Sequence, residues 1–239
     1  MKFIPQLLTL AGSLALMSSP AFADTLPIIT ITSSGKITEG NDYINYFHAG
    51  SDLVGQQFSM SLTIDPNMLP VVTNTPDYSS YQNYTDSAFS KGTLTINGIT
   101  YSWTNDQSNV FAGMRMVYPG YTRHSAGIDA YGIANDGNSV YASTNIWSDS
   151  NLFLKTTDIT QNIVFPMGGP RYLEVVGESY VSVHPENSST QGFVFRGTEI
   201  ATAQWSVSPV PEPGEYAMLA AGLAVAGLAR RRSARRRRP

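Results

Sequence analysis

Residues 93–103, TLTINGITYSW, constrain the fold of this chain more than any other stretch. Asn followed by Gly suits the two central positions of a type I′ turn, because both positions need a positive φ. With Asn97 and Gly98 at the tip, Ile96 falls opposite Ile99, Leu94 opposite Tyr101, Thr95 opposite Thr100 and Thr93 opposite Ser102. Apolar side chains then meet on one face and hydroxyls on the other, as cross-strand pairing requires. A slip of one residue would mix the two faces. The expectation is a hairpin that turns Leu94, Ile96, Ile99, Tyr101 and Trp103 towards a core.

Much of the middle of the chain reads the same way. Residues 57–64 set Phe58, Met60, Leu62 and Ile64 against Ser59, Ser61 and Thr63, and residues 140–146 and 201–207 repeat the alternation. Further strands are expected at 28–32, 172–176, 180–183 and 193–199. Residues 66–90, polar and rich in tyrosine, read as a long surface loop. Nothing between 24 and 208 sustains a 3.6-residue apolar period. Many short strands divided by Gly, Asn, Asp and Pro predict an all-β domain, a single two-sheet sandwich or jelly roll.

The two ends read as addresses. Lys2, the 11 apolar residues 7–17, the helix-breaking Pro20 and the small side chains of Ala21 and Ala23 form the layout of a signal peptide. Signal peptidase is the partner this implies, with Ala21 and Ala23 in its pocket, 1–23 removed and the mature chain starting at Asp24. The apolar run is too short to span a bilayer, which takes about 20 residues. At the other end, Pro211 and Pro213 around Glu212 resist helix and make an extended linker. Residues 216–229 follow as an apolar run of 14, then Arg230, Arg231, Arg232, Arg235, Arg236, Arg237 and Arg238. A helix of that length covers about 21 Å of a hydrocarbon core of about 30 Å, and snorkelling arginine stems extend its reach. The basic flank acts as a stop-transfer signal that keeps the tail cytoplasmic and the preceding domain outside.

Pro211-Glu212-Pro213, a short transmembrane helix and an arginine cluster together make residues 209–238 resemble the PEP-CTERM sorting signal of exported proteins in Gram-negative bacteria that make extracellular polysaccharide. The resemblance implies an exosortase-type processing enzyme as partner and transient, C-terminal anchoring in the inner membrane. It also implies residence at the cell surface or in the biofilm matrix, in contact with exopolysaccharide. The chain thus divides into a signal peptide (1–23), an acidic β-sandwich ectodomain (24–208) and a sorting segment (209–238).

Outside these ends, residues 24–208 hold 7 basic and 16 acidic side chains, a net charge of −9. That balance argues against nucleic acid, whose binding rests on cations that neutralise phosphate. The chain has no cysteine, which removes thiol nucleophiles, thiol redox chemistry and Cys-ligated zinc.

Candidates for chemistry are few, and no enzyme is expected. His48, His124 and His184 show no metal-ligand spacing, and no G-x-S-x-G elbow is present. Glu174 and Glu178 offer a carboxylate pair of the kind a glycosidase places about a sugar bond, in a domain with acids to spare. No cofactor is expected beyond structural calcium, for which Asp65, Asp77, Asp86 and the 135–138 turn supply hard oxygens on loops; Asn and Asp are also the ordinary residues of turns. Tyr78, Tyr81 and Tyr84 are candidate carbohydrate contacts, with Trp103, Trp147 and Trp205 as further stacking surfaces. The leading expectation is an exported, sorted surface or matrix protein with a non-catalytic sandwich associated with exopolysaccharide. The alternatives are a lectin-like module and a secreted carbohydrate-active hydrolase.

Overall fold

In the computed structural model the described residues are 26–115, 123–149, 153–169, 174–185 and 192–208, without the side chains of 71, 72, 84–87, 106–108 and 115. The segments read as a signal peptide and a sorting signal, with Ala21, Ala23, Pro211 and the arginine cluster, lie outside them. The strands are β1 (Ile28–Lys36), β2 (Glu39–Asp42), β3 (Gln57–Ile64), β4 (Val71–Thr75), β5 (Tyr78–Ile96) and β6 (Ile99–Arg115). They continue as β7 (His124–Ile133), β8 (Ser139–Ser148), β9 (Ile163–Phe165), β10 (Val176–His184), β11 (Phe193–Gly197) and β12 (Glu199–Ser208). Among the described residues the one helical piece is a 3-10 turn, Pro66–Met68, capped by the Asp65 side chain. None of their helices is long and apolar enough to cross a membrane.

The hairpin at Asn97-Gly98 forms in the expected register, with Ile96 opposite Ile99, Leu94 opposite Tyr101 and Thr95 opposite Thr100. Asn97 has φ +51° and Gly98 φ +76°, the left-handed values a type I′ tip demands. Leu94, Ile96, Tyr101 and Trp103 are buried, and the hydroxyls of Thr95 and Thr100 hydrogen-bond each other at 2.8 Å on the outer face.

Residues 66–90 are not a loop. They form the 3-10 turn, β4 and the first half of β5, a strand of 19 residues. Their polarity concealed this: Ser79, Ser80 and Asn83 are buried, so no apolar stripe marks the strand. It is held instead by ladders on both sides, to β4 and to β6.

All strands join in one antiparallel sheet, in the order β2-β11-β10-β8-β7-β6-β5-β3-β1-β12-β9, with β4 beside β5. The long β5–β6 hairpin is what folds this sheet into two layers. Its tip half pairs with β3 through residues 90–96, and its open half pairs with β7 through residues 108–115. Register shifts at Asn83/Ala88 and Ala88/Ser90 mark the corner between them, the usual work of a bulge. The first layer is thus β5-β3-β1-β12-β9 and the second is β6-β7-β8-β10-β11-β2.

The core lies between the layers. Ile31, Leu62, Leu94 and Trp205 come from the first, Ile128, Ala142, Val181 and Phe195 from the second, all nearly inaccessible. Burying such an aliphatic or aromatic side chain contributes about 1.5–3 kcal/mol. Phe58 of the first layer meets Phe195 of the second with ring centroids 5.0 Å apart. A polar seam also crosses the core: the Ser33 and Ser179 hydroxyls share a 2.7 Å hydrogen bond, and Thr144 joins Ser179 at 3.0 Å. These hydroxyls satisfy one another, which is what makes their burial tolerable. The Trp205 indole N–H donates to the Ile159 carbonyl at 2.9 Å, and the Leu154 N–H donates to His124 Nδ1 at 2.8 Å, so residues 153–162 are pinned across one end.

Candidate functional site

The outward face of the second layer collects aromatic and hydrogen-bonding side chains that the sequence scatters over five strands. Alternation sends Ser125, Gly127, Asp129 and Tyr131 of β7 outward, with Tyr141, Ser143, Asn145 and Trp147 of β8 and Glu178 and Tyr180 of β10. Register sets them side by side: Tyr131 opposite Tyr141, Asp129 opposite Ser143, Gly127 opposite Asn145, and Asn145 opposite Glu178.

The face is notched by a pair of glycines. Gly113 of β6 lies opposite Gly127 of β7, so two neighbouring outward positions carry no side chain. The result is a hollow of about 300 Å3 with Phe111, Tyr78 and Trp147 among its walls and Arg123 and Asn145 on its rim. A Cβ at Gly127 would collide with the Asn145 side-chain oxygen, so the glycine is needed for the amide to lie where it does. Arg123 sits over the Trp147 ring, 5.6 Å from its centroid, with its Nε 3.3 Å from an Asp149 carboxylate oxygen.

Asp129 does not line this hollow; it lies opposite Phe111, two residues along β7 from Gly127, and its Oδ1 accepts from Asn145 Nδ2 at 3.2 Å and from the Tyr141 hydroxyl at 3.3 Å. Burial pushes its carboxyl above the usual carboxylate range; the two hydrogen bonds pull it down, and the negative charge of Glu178 adds to the rise. The Tyr141 hydroxyl is pushed up by burial and then by Asp129. A second hollow, of about 330 Å3, continues the face past Tyr180. There Arg196 holds Glu178 at 2.8 Å and Glu39 at 3.9 Å. The Tyr141 and Tyr180 rings lie 5.5 Å apart and bridge the two hollows, with Tyr131 half exposed beyond.

Of the tyrosines singled out in the sequence, Tyr78 lines the first hollow. Tyr81 does not join it: an odd step along β5 sends it to the opposite side, where it is buried and its hydroxyl is pushed up, mainly by that burial. The Tyr84 side chain lies outside the described ones. Trp103 and Trp205 are core residues, and Trp147 alone of the three tryptophans reaches the candidate face.

Glu178 is tied to Arg196. Two of the loop acids put forward for calcium, Asp65 and Asp136, are engaged locally. Asp65 accepts from Asn67, and Asp136 accepts from the Asn138 backbone and amide and from the Tyr101 hydroxyl. No group of three or more metal-binding side chains occurs among the described residues, and the Asp86 side chain is not one of them.

Asp129, Asn145, Tyr131, Tyr141 and Tyr180 did not stand out in the sequence. For Asp129 and Tyr131 the signal was the alternation of β7, where Ala126, Ile128 and Ala130 face inward and small alanines make the stripe faint; Tyr141, Asn145 and Tyr180 lie on β8 and β10, strands the sequence did indicate, and only register brings them beside β7. Compared with family models, curated proteins and solved structures, the chain matches none of them.

Proposed function

We propose that the chain is exported through its N-terminal signal, sorted by an exosortase-type enzyme through residues 209–238, and placed at the cell surface or in the extracellular matrix. There its non-catalytic, all-β domain associates with exopolysaccharide through the outward face of the second layer. The observation that carries the carbohydrate reading is the glycine-floored hollow. Its aromatic walls suit the apolar face of a sugar ring, Ser125 and Asn145 line it with donors and acceptors for hydroxyls, and Asp129 stands two residues beyond Gly127 on β7, where a substituent or a neighbouring sugar unit reaches it. Pockets that hold small ligands combine apolar walls with a few placed polar groups in this way. The discrete size of the hollow favours a lectin-like contact with one kind of sugar over loose adhesion.

The non-catalytic reading is supported by how the acids are used. Glycoside cleavage takes two carboxylates flanking one bond, one of them able to give up a proton. Glu178 is tied to Arg196 at 2.8 Å and lies two strands away from Asp129, so the two carboxylates do not flank one bond. Sorting is supported by Pro211-Glu212-Pro213, the apolar run and the seven arginines.

A glycan array probed with purified residues 24–208 tests the carbohydrate reading, with Gly127→Ala and Trp147→Ala as companions. Wild type should retain a restricted set of glycans and both variants should lose them; binding that neither variant alters would place the contact elsewhere. Mass spectrometry of the secreted protein tests the sorting reading: the chain should begin at Asp24 and lack the arginines, and an extracellular form that retains Arg238 would overturn it.

A further inference from the structure

Charge is distributed unevenly over the outward face. Asp149 is paired with Arg123, and Glu178 and Glu39 with Arg196. Asp129 has no cation among the described residues. Both of its donors, Tyr141 and Asn145, bond the same oxygen, Oδ1, and no described group bonds Oδ2. A part-buried carboxylate without a counter-charge is held at a cost, and Glu178 two strands away adds to it. The surroundings are aromatic. Phe111 is the cross-strand neighbour on β6, Tyr131 lies two residues along β7, and Tyr141 lies diagonally on β8. Ring faces attract cations within about 6 Å, most strongly where water is excluded.

Resting on the carbohydrate reading above, we propose that the sugar held by this face carries protonated amino groups, and that Asp129 is the residue that selects it. An ammonium group of an amino sugar docks against the free carboxylate oxygen, beside the rings of Phe111, Tyr131 and Tyr141, while the sugar ring occupies the glycine-floored hollow. The ligand supplies the cation that no described side chain provides. The charge of the whole domain acts in the same direction: residues 24–208 carry −9, which draws in a polycationic glycan and repels a polyuronate. Neutral hydroxyls would satisfy Asn145 and Ser125 equally well but would leave Asp129 uncompensated.

The test is isothermal titration of the secreted, processed protein with three hexasaccharides of one linkage, built of glucosamine, N-acetylglucosamine or glucose, at an ionic strength of about 0.15 M. The glucosamine hexamer should bind at least about tenfold more tightly than the other two. Acetylation removes only the charge, so this comparison requires no variant. Asp129→Asn, which keeps the size and both internal hydrogen bonds, should abolish the preference, whereas Glu199→Gln, exposed on β12 in the other layer, should leave it intact. Equal affinity for the three hexamers would overturn the proposal and leave the carbohydrate reading standing. A preference that survives Asp129→Asn, or that Glu199→Gln removes equally, would also overturn it, as a general charge effect. Failure of all three to bind would remove the carbohydrate reading as well.

Discussion

Replacing Asp129 with Asn should make the protein more stable at neutral pH. The folded carboxyl titrates above its ordinary value of 3.8, so the folded state holds the proton more tightly than the unfolded state does. As pH rises through the window just above that value, the unfolded chain ionises first and stability falls, by linkage. Asparagine has no such loss. It keeps an oxygen that accepts from Tyr141 and Asn145, so the local hydrogen bonds survive. The magnitude follows from the sheet. β7 and β10 flank β8, and Glu178 lies two residues along from the position straight across, so two strands of about 4.8 Å and two residues of about 3.4 Å separate it from Asp129 by about 12 Å. At an effective dielectric of about 20–40 that repulsion is about 0.7–1.4 kcal/mol. The Arg196 pair on Glu178 and the partial exposure of Asp129 reduce it to about 0.5–1 kcal/mol. Burial of the charge acts with the same sign, so a gain of about 1 kcal/mol is expected. Equilibrium urea unfolding of both proteins at pH 7 and at about pH 3 reads this directly. The variant should be more stable at pH 7 and indistinguishable where the wild-type carboxyl is protonated. A variant no more stable at pH 7, or a gain that persists in acid, would refute the reasoning.

Three further outcomes test the fold. Gly98→Val should cost about 1–3 kcal/mol for backbone strain alone, since φ is +76° and no atom lies within 4 Å of a Cβ there. Thr100→Ala on the outer face of the same hairpin should stay within about 0.5 kcal/mol in urea unfolding, and the reverse order would place the hairpin in the wrong register. Trp205→Phe should lower stability by about 2–3 kcal/mol, because it strands the buried Ile159 carbonyl and leaves a void, and a thermal melt that hardly moves would contradict the pinning of residues 153–162. Burial lowers the His124 pKa and its Nδ1 is an acceptor, so the unfolded chain takes up this proton first and stability falls as pH drops below about 6.5. His124→Gln should flatten the pH dependence of unfolding between about pH 7 and 5, and an unchanged slope would show that the ring contributes nothing to it.

How much of this molecule could be read in advance depended on what each strand buries. The hairpin was legible to the residue because Leu94, Ile96, Tyr101 and Trp103 are large and the residues that alternate with them, Thr93, Thr95, Thr100 and Ser102, carry hydroxyls. β3 was legible for the same reason, and its bounds are those the alternation predicts, Gln57–Ile64. The first half of β5 was not, since a strand paired on both sides keeps its backbone satisfied whatever its side chains are, and here they are serines and asparagines. β7 was missed because alanines fill a narrow space under the outer face. The site itself was hidden by register: Asp129 and Asn145 are unremarkable until β7 and β8 set them diagonally to one another. Tyr78, Tyr81 and Tyr84 were grouped as carbohydrate contacts of one surface loop, but strand geometry with its period of two separates Tyr78 from Tyr81.

The same topology bears on how a tether and a binding face can share so small a domain. β1 pairs with β12 along its length, and Ile28 at its start lies opposite Ser208 at the other strand's end. The chain therefore enters and leaves the described domain at one point, and that point belongs to the first layer. The hollow floored by Gly113 and Gly127 belongs to the second layer and opens away from the core that separates the two. The corner that makes this arrangement is the bulged run from Asn83 to Ser90, which carries one hairpin from the first layer into the second. A flat sheet with the same strand order would have left the chain ends and the candidate face on one continuous surface, where anything holding the ends could crowd the face. Folding the sheet on its longest hairpin buries the apolar side of both halves at once and sets attachment and recognition on different layers. The polar run that conceals β5 in the sequence thus builds the corner on which the proposed division of labour depends.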